Sequence, residues 1–278
     1  MSLTRSNRNI FAGVLGASSQ IVFNTLCFFL IYKIGIIELG SEIMGAWGLS
    51  VSLLSLIKLA DIGLSGALIK YIAELFSLER HSHAFSMIRA SILSVTFYSA
   101  TVGFIFYQTF DFIIVNLLEK SVFAMVQPVI PVIVIQSVLA CISVSCLACL
   151  DGINRIDLRA FLSMLAAVIT MVLVYFLVPL LGLRGLIYAQ IVQVFILIFG
   201  AYAVLWRSTG FNLFGAVSFS ENSKLYSYGL KFQAGNVCSI LSEAITKVLI
   251  ARFGVITDMG VMTEMGVITD MGVITDMG

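Results

Sequence analysis

The chain has 278 residues, of which 60% are apolar and only 11% are charged, and its net charge is +1. A soluble domain carries roughly 25% charged residues, so the charge here is too sparse to cover a surface in water, and lipid must solvate much of the chain. The same composition excludes a disordered chain, and five cysteines are too few for a disulfide scaffold of this length.

Long apolar runs follow the polar N-terminus and predict seven transmembrane helices, because about 20 helical residues are needed to cross the bilayer hydrocarbon. We call these spans 1 to 7, and they cover residues 10–32, 43–69, 86–108, 124–150, 159–178, 184–206 and 228–252. The first run is too long for the apolar region of a secretory signal, so we expect it to be retained. The runs are continuous and not alternating, which argues against a membrane β-barrel. The predicted fold is an all-α polytopic membrane protein.

The connection between spans 5 and 6 is predicted to run from Pro179 to Gly185. Proline cannot continue the hydrogen bonding of a helix, and Gly182 and Gly185 permit a tight reversal. The distribution of cations predicts a cytoplasmic N-terminus by the positive-inside rule. With that orientation, the inner segments hold Arg5, Arg8, Lys70, Arg80, Arg89, Arg155, Arg159, Arg207, Lys224 and Lys231. The outer segments hold only Lys33, Lys120, Arg184 and Arg252.

Polarity also divides the chain into regions. Residues 207–227 form a long polar break, which predicts a cytoplasmic linker between a six-helix lobe at 1–206 and the first helix of a second lobe at 228–254. Residues 255–278 hold four copies of a six-residue unit, VITDMG, VMTEMG, VITDMG and VITDMG. We expect this repeat to be a low-complexity, disordered tail, because four units give little more than one coil of a β-helix. The second lobe is therefore expected to be truncated.

No nucleophile–base pair, phosphate-binding loop or dinucleotide fingerprint occurs in the sequence, which predicts a protein that is not an enzyme and needs no cofactor. Two pairs of residues could bind a metal. The first is His81 with His83, for which a solvated loop is the favoured interpretation, and the second is Cys146 with Cys149, which lie in an apolar run without a nearby carboxylate. We therefore predict no metal site.

Function is expected to rest on polar residues inside the bilayer, which are costly unless they face a cavity, pair or snorkel. Span 7 carries Gln233, Asn236, Ser239, Glu243 and Lys247 at spacings of 3, 3, 4 and 4, which places them on one face of a helix. Glu243 and Lys247 have the spacing and order of a favourable ion pair. That face could line a cavity, or the neutralised pair could pack against neighbouring helices.

Spans 1, 2 and 6 add further polar positions. Lys58 and Asp61 lie on one half of span 2 with Ser52, Ser55 and Ser65, although an interfacial pair that serves only the fold is the alternative. Span 1 adds Gln20 and Asn24, and span 6 adds Gln190 and Gln193. Each amide could instead bond a neighbouring helix, which contributes about 0.6 kcal/mol on average. Together these residues predict a hydrated centre lined by spans 1, 2, 6 and 7.

Four stretches carry a resemblance to a known family. They are Leu39-Gly40-Ser41-Glu42 with Gly45, Asp61-Ile62-Gly63-Leu64 running into Lys70 and Glu74, Leu181-Gly182-Leu183-Arg184-Gly185, and Tyr228-Gly229-Leu230-Lys231 with Arg252-Phe253-Gly254 beyond it. In order and position over residues 1–254 they resemble the bacterial polysaccharide (O-antigen) flippases. This family belongs to the superfamily that also holds the multidrug and toxin extrusion transporters.

The resemblance implies two six-helix lobes around a central cavity in the bacterial inner membrane. It implies alternating access that moves an undecaprenyl-pyrophosphate-linked oligosaccharide, for O-antigen, capsule or lipopolysaccharide biosynthesis, to the outer leaflet. Lys58 and Lys247 would bind the pyrophosphate, while Asp61 and Glu243 would couple transport to an ion gradient. Gln20, Asn24, Gln190, Gln193 and Asn236 would contact the sugar. The implied partners are membrane lipid and a polysaccharide polymerase or chain-length regulator, and nucleic acid is not among them.

Two alternatives remain beside the flippase. One is a multidrug or cation exporter of the same superfamily, although the two lysines offset the two acids and so favour an anionic substrate slightly. The other is an inactive fragment or a non-transporting component of a glycan export complex, because most of the second lobe is expected to be missing.

Overall fold

A computed structural model describes residues 2–54, 64–114, 127–213, 215 and 242. These residues form α-helices and one 3₁₀ turn at Gln127–Val129, with no strand among them. The helices are α1 (Ser2–Leu39), α2 (Ser41–Leu54), α3 (Leu64–Ser77), α4 (His81–Ile114), α5 (Ile130–Gly152), α6 (Ile156–Leu181) and α7 (Leu183–Thr209). The predicted all-α fold is confirmed.

Five helical segments are long and apolar enough to cross a membrane, so the chain is a multi-pass membrane protein. They are Ser18–Leu39, His81–Thr109, Gln127–Gly152, Ile156–Leu181 and Leu183–Thr209. These segments correspond to the predicted spans 1, 3, 4, 5 and 6. Span 2 is described as α2 and α3 on either side of residues 55–63, which lie outside the described residues. Span 7 and the repeat tail also lie outside them, apart from Ser242.

Helix α5 is the centre of the described bundle. It packs against α2, α3, α4 and α7, and its face is lined by fully buried side chains such as Ile133 and Leu150. Its last residue, Gly152, lies so close to α3 that an added Cβ would be 2.7 Å from the Cβ of Ile72. Helix α6 packs against both α1 and α7 and therefore lies between them.

Helices α1 and α6 run in the same direction. The end of α1 at Leu39 lies beside the end of α6, since the Leu39 side chain is 3.8 Å from the Cβ position of Gly182. Further down the same pair of helices, Asn24 meets Ser163. We call the end that holds Gly40 and Gly182 the outer end, following the predicted orientation, and the opposite end the inner end.

Several predicted connections between spans are helical in the structure. Helix α1 continues to Leu39, and the polar stretch from Lys70 to Arg89 is helical except for the turn at Leu78–Arg80. Hydropathy measures how much of a helix is apolar, and a helix can continue through polar residues beyond the membrane. The helices therefore extend beyond the predicted spans.

The predicted turn from Pro179 to Gly185 is also shorter in the structure. Pro179 lies inside α6, and the chain reverses at Gly182 alone, where φ is 61° and ψ is −139°. A proline in the last turn removes one hydrogen bond close to the point where the helix ends in any case, so the helix tolerates it. Only glycine adopts this backbone conformation readily.

Candidate functional site in the helical lobe

The described lobe contains four of the residues predicted to contact substrate or ion. These are Gln20, Asn24, Gln190 and Gln193. The remaining predicted residues lie outside the described part of the chain, namely Lys58, Asp61, Asn236, Glu243 and Lys247. Their roles stay predictions.

Asn24 lies in the contact between α1 and α6. Its Nδ2 donates a hydrogen bond of 2.8 Å to Oγ of Ser163, so it bonds a neighbouring helix, as one of the two interpretations of this residue expected. Its Oδ1 is buried and accepts no hydrogen bond from the described residues. Burying a carbonyl oxygen without a donor costs free energy. Asn24 therefore has a hydrogen-bonding capacity left over for a water molecule, a ligand or another part of the chain.

Gln20 lies one helical turn before Asn24 and is half-buried. The i, i+4 spacing places the two amides on the same side of α1, the side that also carries the buried residues Cys27 and Ile31. The opposite side of α1 is exposed and apolar, with Val22 and Leu26 on it. The amides of span 1 thus belong to the packed side of the helix.

Gln190 and Gln193 are half-buried on α7. Gln190 follows the buried Leu186 by four residues, and Gln193 follows the buried Ala189 by four, so both amides lie on the packed side of α7. Gly200, seven residues beyond Gln193 on that side, approaches Leu162 of α6. Because α6 separates α1 from α7, the described lobe does not bring these glutamines next to Asn24.

Ser65 belongs to the polar face predicted for span 2, and the structure places it inside the lobe. It is 8% exposed, and its Oγ lies 3.4 Å from Oγ of Ser145 on α5. This hydroxyl pair joins α3 to α5 in the way that polar side chains join membrane helices. Ser65 itself therefore contributes to helix packing.

An ion pair that the sequence did not predict closes the turn between α5 and α6. Nη1 of Arg159 lies 2.7 Å from Oδ2 of Asp151, whose side chain is 12% exposed. The turn between the two residues places Asn154 at φ 58°. In the sequence, Asp151 and Arg159 lie on opposite sides of a short polar break between spans 4 and 5. That pattern is typical of many solvated loops and does not by itself predict an ion pair.

A small cavity lies at the outer end between the 3₁₀ turn and the start of α7. Its volume is about 110 Å³, and its lining includes Val129, Arg184 and Tyr188. Ligand pockets usually measure about 300–1,000 Å³, so this cavity is too small for an oligosaccharide.

Charge in the five described spans depends on the distance from the helix ends. Their carboxylates are Glu38, Asp151 and Asp157, and each lies one residue from the end of its span. Four cations lie further from the ends, at two residues for Arg207, three for Arg159, six for Lys33 and eight for Arg89. At 1.5 Å per residue, Lys33 and Arg89 are about 9 and 12 Å from the ends of their helices. Within these spans, positive charge lies further from the helix ends than negative charge.

The fold is similar to that of a solved structure described as the inward-facing conformation of a multidrug resistance MATE family transporter of the MOP superfamily. The TM-score is 0.72 at 16% sequence identity, and the similarity covers 90% of this chain and 59% of that one. This chain thus spans about 59% of the length of the transporter. No family model matches the sequence, and no curated protein matches it either. The described helices accordingly share the fold of that transporter.

Proposed function

We propose that the protein is a flippase that moves an undecaprenyl-pyrophosphate-linked oligosaccharide from the inner to the outer leaflet of the bacterial inner membrane by alternating access. The transporter fold supports movement of a substrate between two faces of a membrane. The observation that favours this substrate is the charge along the described spans, where the cations Lys33 and Arg89 lie further from the helix ends than any carboxylate. An anionic head group gains from such a field, whereas a cation loses.

The residues outside the described lobe supply the remaining roles in this proposal. Lys58 and Lys247 bind the pyrophosphate, and Asp61 and Glu243 carry the coupling ion. The amides contact the sugar, with Asn24 offering an acceptor that no described residue occupies. The lipid tail stays in the bilayer, which is consistent with the exposed apolar side of α1. In this arrangement the N-terminus is cytoplasmic, and a polymerase or chain-length regulator receives the product.

A reconstituted assay tests the proposal directly. The full chain is placed in liposomes with a fluorescent prenyl-pyrophosphate-linked oligosaccharide, and exposure of the label to a membrane-impermeant quencher is followed. We expect translocation of the pyrophosphate substrate and little movement of a matched prenyl-linked oligosaccharide without the pyrophosphate. Deleting the gene should remove surface polysaccharide and cause the lipid-linked precursor to accumulate. Equal movement of both lipids would argue against recognition of the pyrophosphate.

A second candidate is an exporter of cationic drugs. The solved transporter of similar fold is described as a multidrug resistance protein, which favours this alternative. Efflux of ethidium from liposomes that contain the full chain, without translocation of the lipid-linked sugar, would support it. Absence of both activities, with an unchanged envelope after gene deletion, would favour a non-transporting component or an inactive fragment.

A further inference from the structure

The chain changes direction as soon as α7 ends. Gly210 has φ 71°, and its N–H donates a 2.9 Å hydrogen bond to the carbonyl oxygen of Trp206. A left-handed residue at this position ends a helix and turns the backbone aside, and glycine adopts it without cost. The residues that follow, which begin the predicted linker between the lobes, are therefore directed back over the inner end of the first lobe.

Phe211 is the first of these residues and is almost completely buried, with 1% of its surface exposed. Its ring meets Phe85 of α4 at 5.5 Å and Tyr202 of α7 at 6.3 Å between centroids, both edge to face. Aromatic pairs of this geometry attract each other in addition to the area that they bury. The start of the linker is thus inserted between two helices of the lobe.

Arg89 of α4 also contacts the start of the linker. Its Nε donates a 2.9 Å hydrogen bond to the carbonyl oxygen of Asn212, and its guanidinium carbon lies 5.6 Å from the centroid of Phe211. The backbone of Gly215 also lies against the guanidinium, so closely that a Cβ on Gly215 would collide with it. One cation therefore contacts three residues of the linker.

The position of Arg89 on α4 explains how its side chain contacts the linker. It lies about 12 Å into the helix from His81, but every Cα–Cβ bond of a helix is tilted towards its N-terminus, which for α4 is the inner end. The long side chain therefore extends towards the inner end, where a guanidinium can leave the apolar region. The linker supplies a carbonyl oxygen and an aromatic face there, and both attract a guanidinium.

We propose that Arg89 and Phe211 act as positioning residues that fix the described residues 210–213 and 215 to the first lobe, so that a second lobe is tethered from this point and not from the end of α7. We refer to this arrangement as the linker anchor. It rests on the proposed alternating access, because only a moving second lobe needs a tether of defined length. The anchor removes residues 210–215 from the length of chain over which the lobes can separate, which is about 20 Å of extended backbone. The inner opening between the lobes is limited accordingly.

Spin labels on the full chain in nanodiscs test the anchor without any transport measurement. One label is placed at Leu213 in the linker and the other at Glu79 in the turn before α4, since both side chains are exposed. We expect a narrow distribution of distances in the parent chain and a distribution at least twice as wide in Arg89→Ala. Arg89→Lys should give an intermediate width, because lysine keeps the charge but loses the planar contact with the ring.

Two further variants keep the test decisive. Arg207→Ala is the matched control, since it removes an exposed arginine from the end of α7 close to the linker and should leave the distribution narrow. Phe211→Ala removes the ring inserted between α4 and α7, so it should broaden the distribution even if Arg89→Ala fails to fold. Narrow distributions in both Arg89→Ala and Phe211→Ala would overturn the anchor. The distances between the spin labels do not depend on transport. A failure of the flippase assay would therefore leave them unchanged and would not count against the anchor.

Discussion

The two ends of the lobe are closed by different means. At the outer end, single glycines connect long helices, with Gly40 at φ 85° between α1 and α2 and Gly182 at φ 61° between α6 and α7. At the inner end the turns are longer and are held by side chains, through the Asp151–Arg159 ion pair and the linker anchor. The described outer connections are thus determined mainly by backbone geometry, and the described inner connections by contacts that a changed side chain can break. Substitutions at the two ends should therefore affect stability by different amounts.

The largest effect is expected for Gly185→Ala at the outer end. A Cβ at this position would collide with the backbone carbonyl of Leu177 and also lie 3.0 Å from the backbone nitrogen of Val178, and backbone atoms cannot move aside as a side chain can. We expect a loss of about 3 kcal/mol, at the upper end of overpacking effects. Gly16→Ala is the control, since nothing lies within 4 Å of its Cβ position. Reversible unfolding in mixed detergent micelles measures both, and equal stabilities would show that the outer end does not require a glycine here.

At the inner end, Asp151→Ala should destabilise the lobe by about 2 kcal/mol, because it leaves the Arg159 guanidinium without its carboxylate in a partly buried position. The double variant with Arg159→Ala should be less destabilised than the sum of the two single variants. A double-mutant cycle in the same unfolding assay gives the coupling. Strict additivity would mean that the 2.7 Å contact contributes nothing to stability.

The left-handed residues provide a more selective comparison of the two ends. Gly40→Ala at the outer end should destabilise the protein by roughly 1 kcal/mol, through backbone conformation alone, since nothing lies within 4 Å of its Cβ position. Glu79 at the inner end has φ 57°, so Glu79→Gly should relieve the same cost and change stability by less or in the opposite direction. Similar losses of stability in Gly40→Ala and Glu79→Gly would contradict a cost that arises from the left-handed backbone conformation.

The smallest effect is expected in the middle of the lobe, away from both ends. Ser163→Ala removes the acceptor of the Asn24 side chain, and hydrogen bonds between membrane helices average about 0.6 kcal/mol. Ser163→Ala and Asn24→Ala should therefore each lower stability slightly and show little added loss together. If Asn24 also contacts the sugar, only Asn24→Ala should slow translocation in the flippase assay. An equal reduction by Ser163→Ala would assign Asn24 to packing alone.

The sequence predicted the helical class and five of the spans because apolar length is a direct consequence of bilayer thickness. It did not predict where the helices end. Arg89 shows why, since its charge placed it in a predicted polar connection, whereas it lies eight residues inside α4 and binds a segment more than 120 positions later in the chain. Contacts such as Arg89 with Asn212, or Asn24 with Ser163, join distant segments. Hydropathy and spacing describe only neighbouring residues.

The contact between α1 and α6 has a consequence for how the protein is made. Asn24 and its partner Ser163 are separated by 139 residues in the chain. At synthesis rates of about 5–20 residues per second, α1 is produced roughly 7–28 s before the helix that it packs against. During that interval the amide of Asn24 must be satisfied by water, lipid head groups or the insertion machinery. Completion of the lobe therefore depends on a late-arriving helix, and variants on α6 should reduce the yield of inserted protein before they reduce its stability.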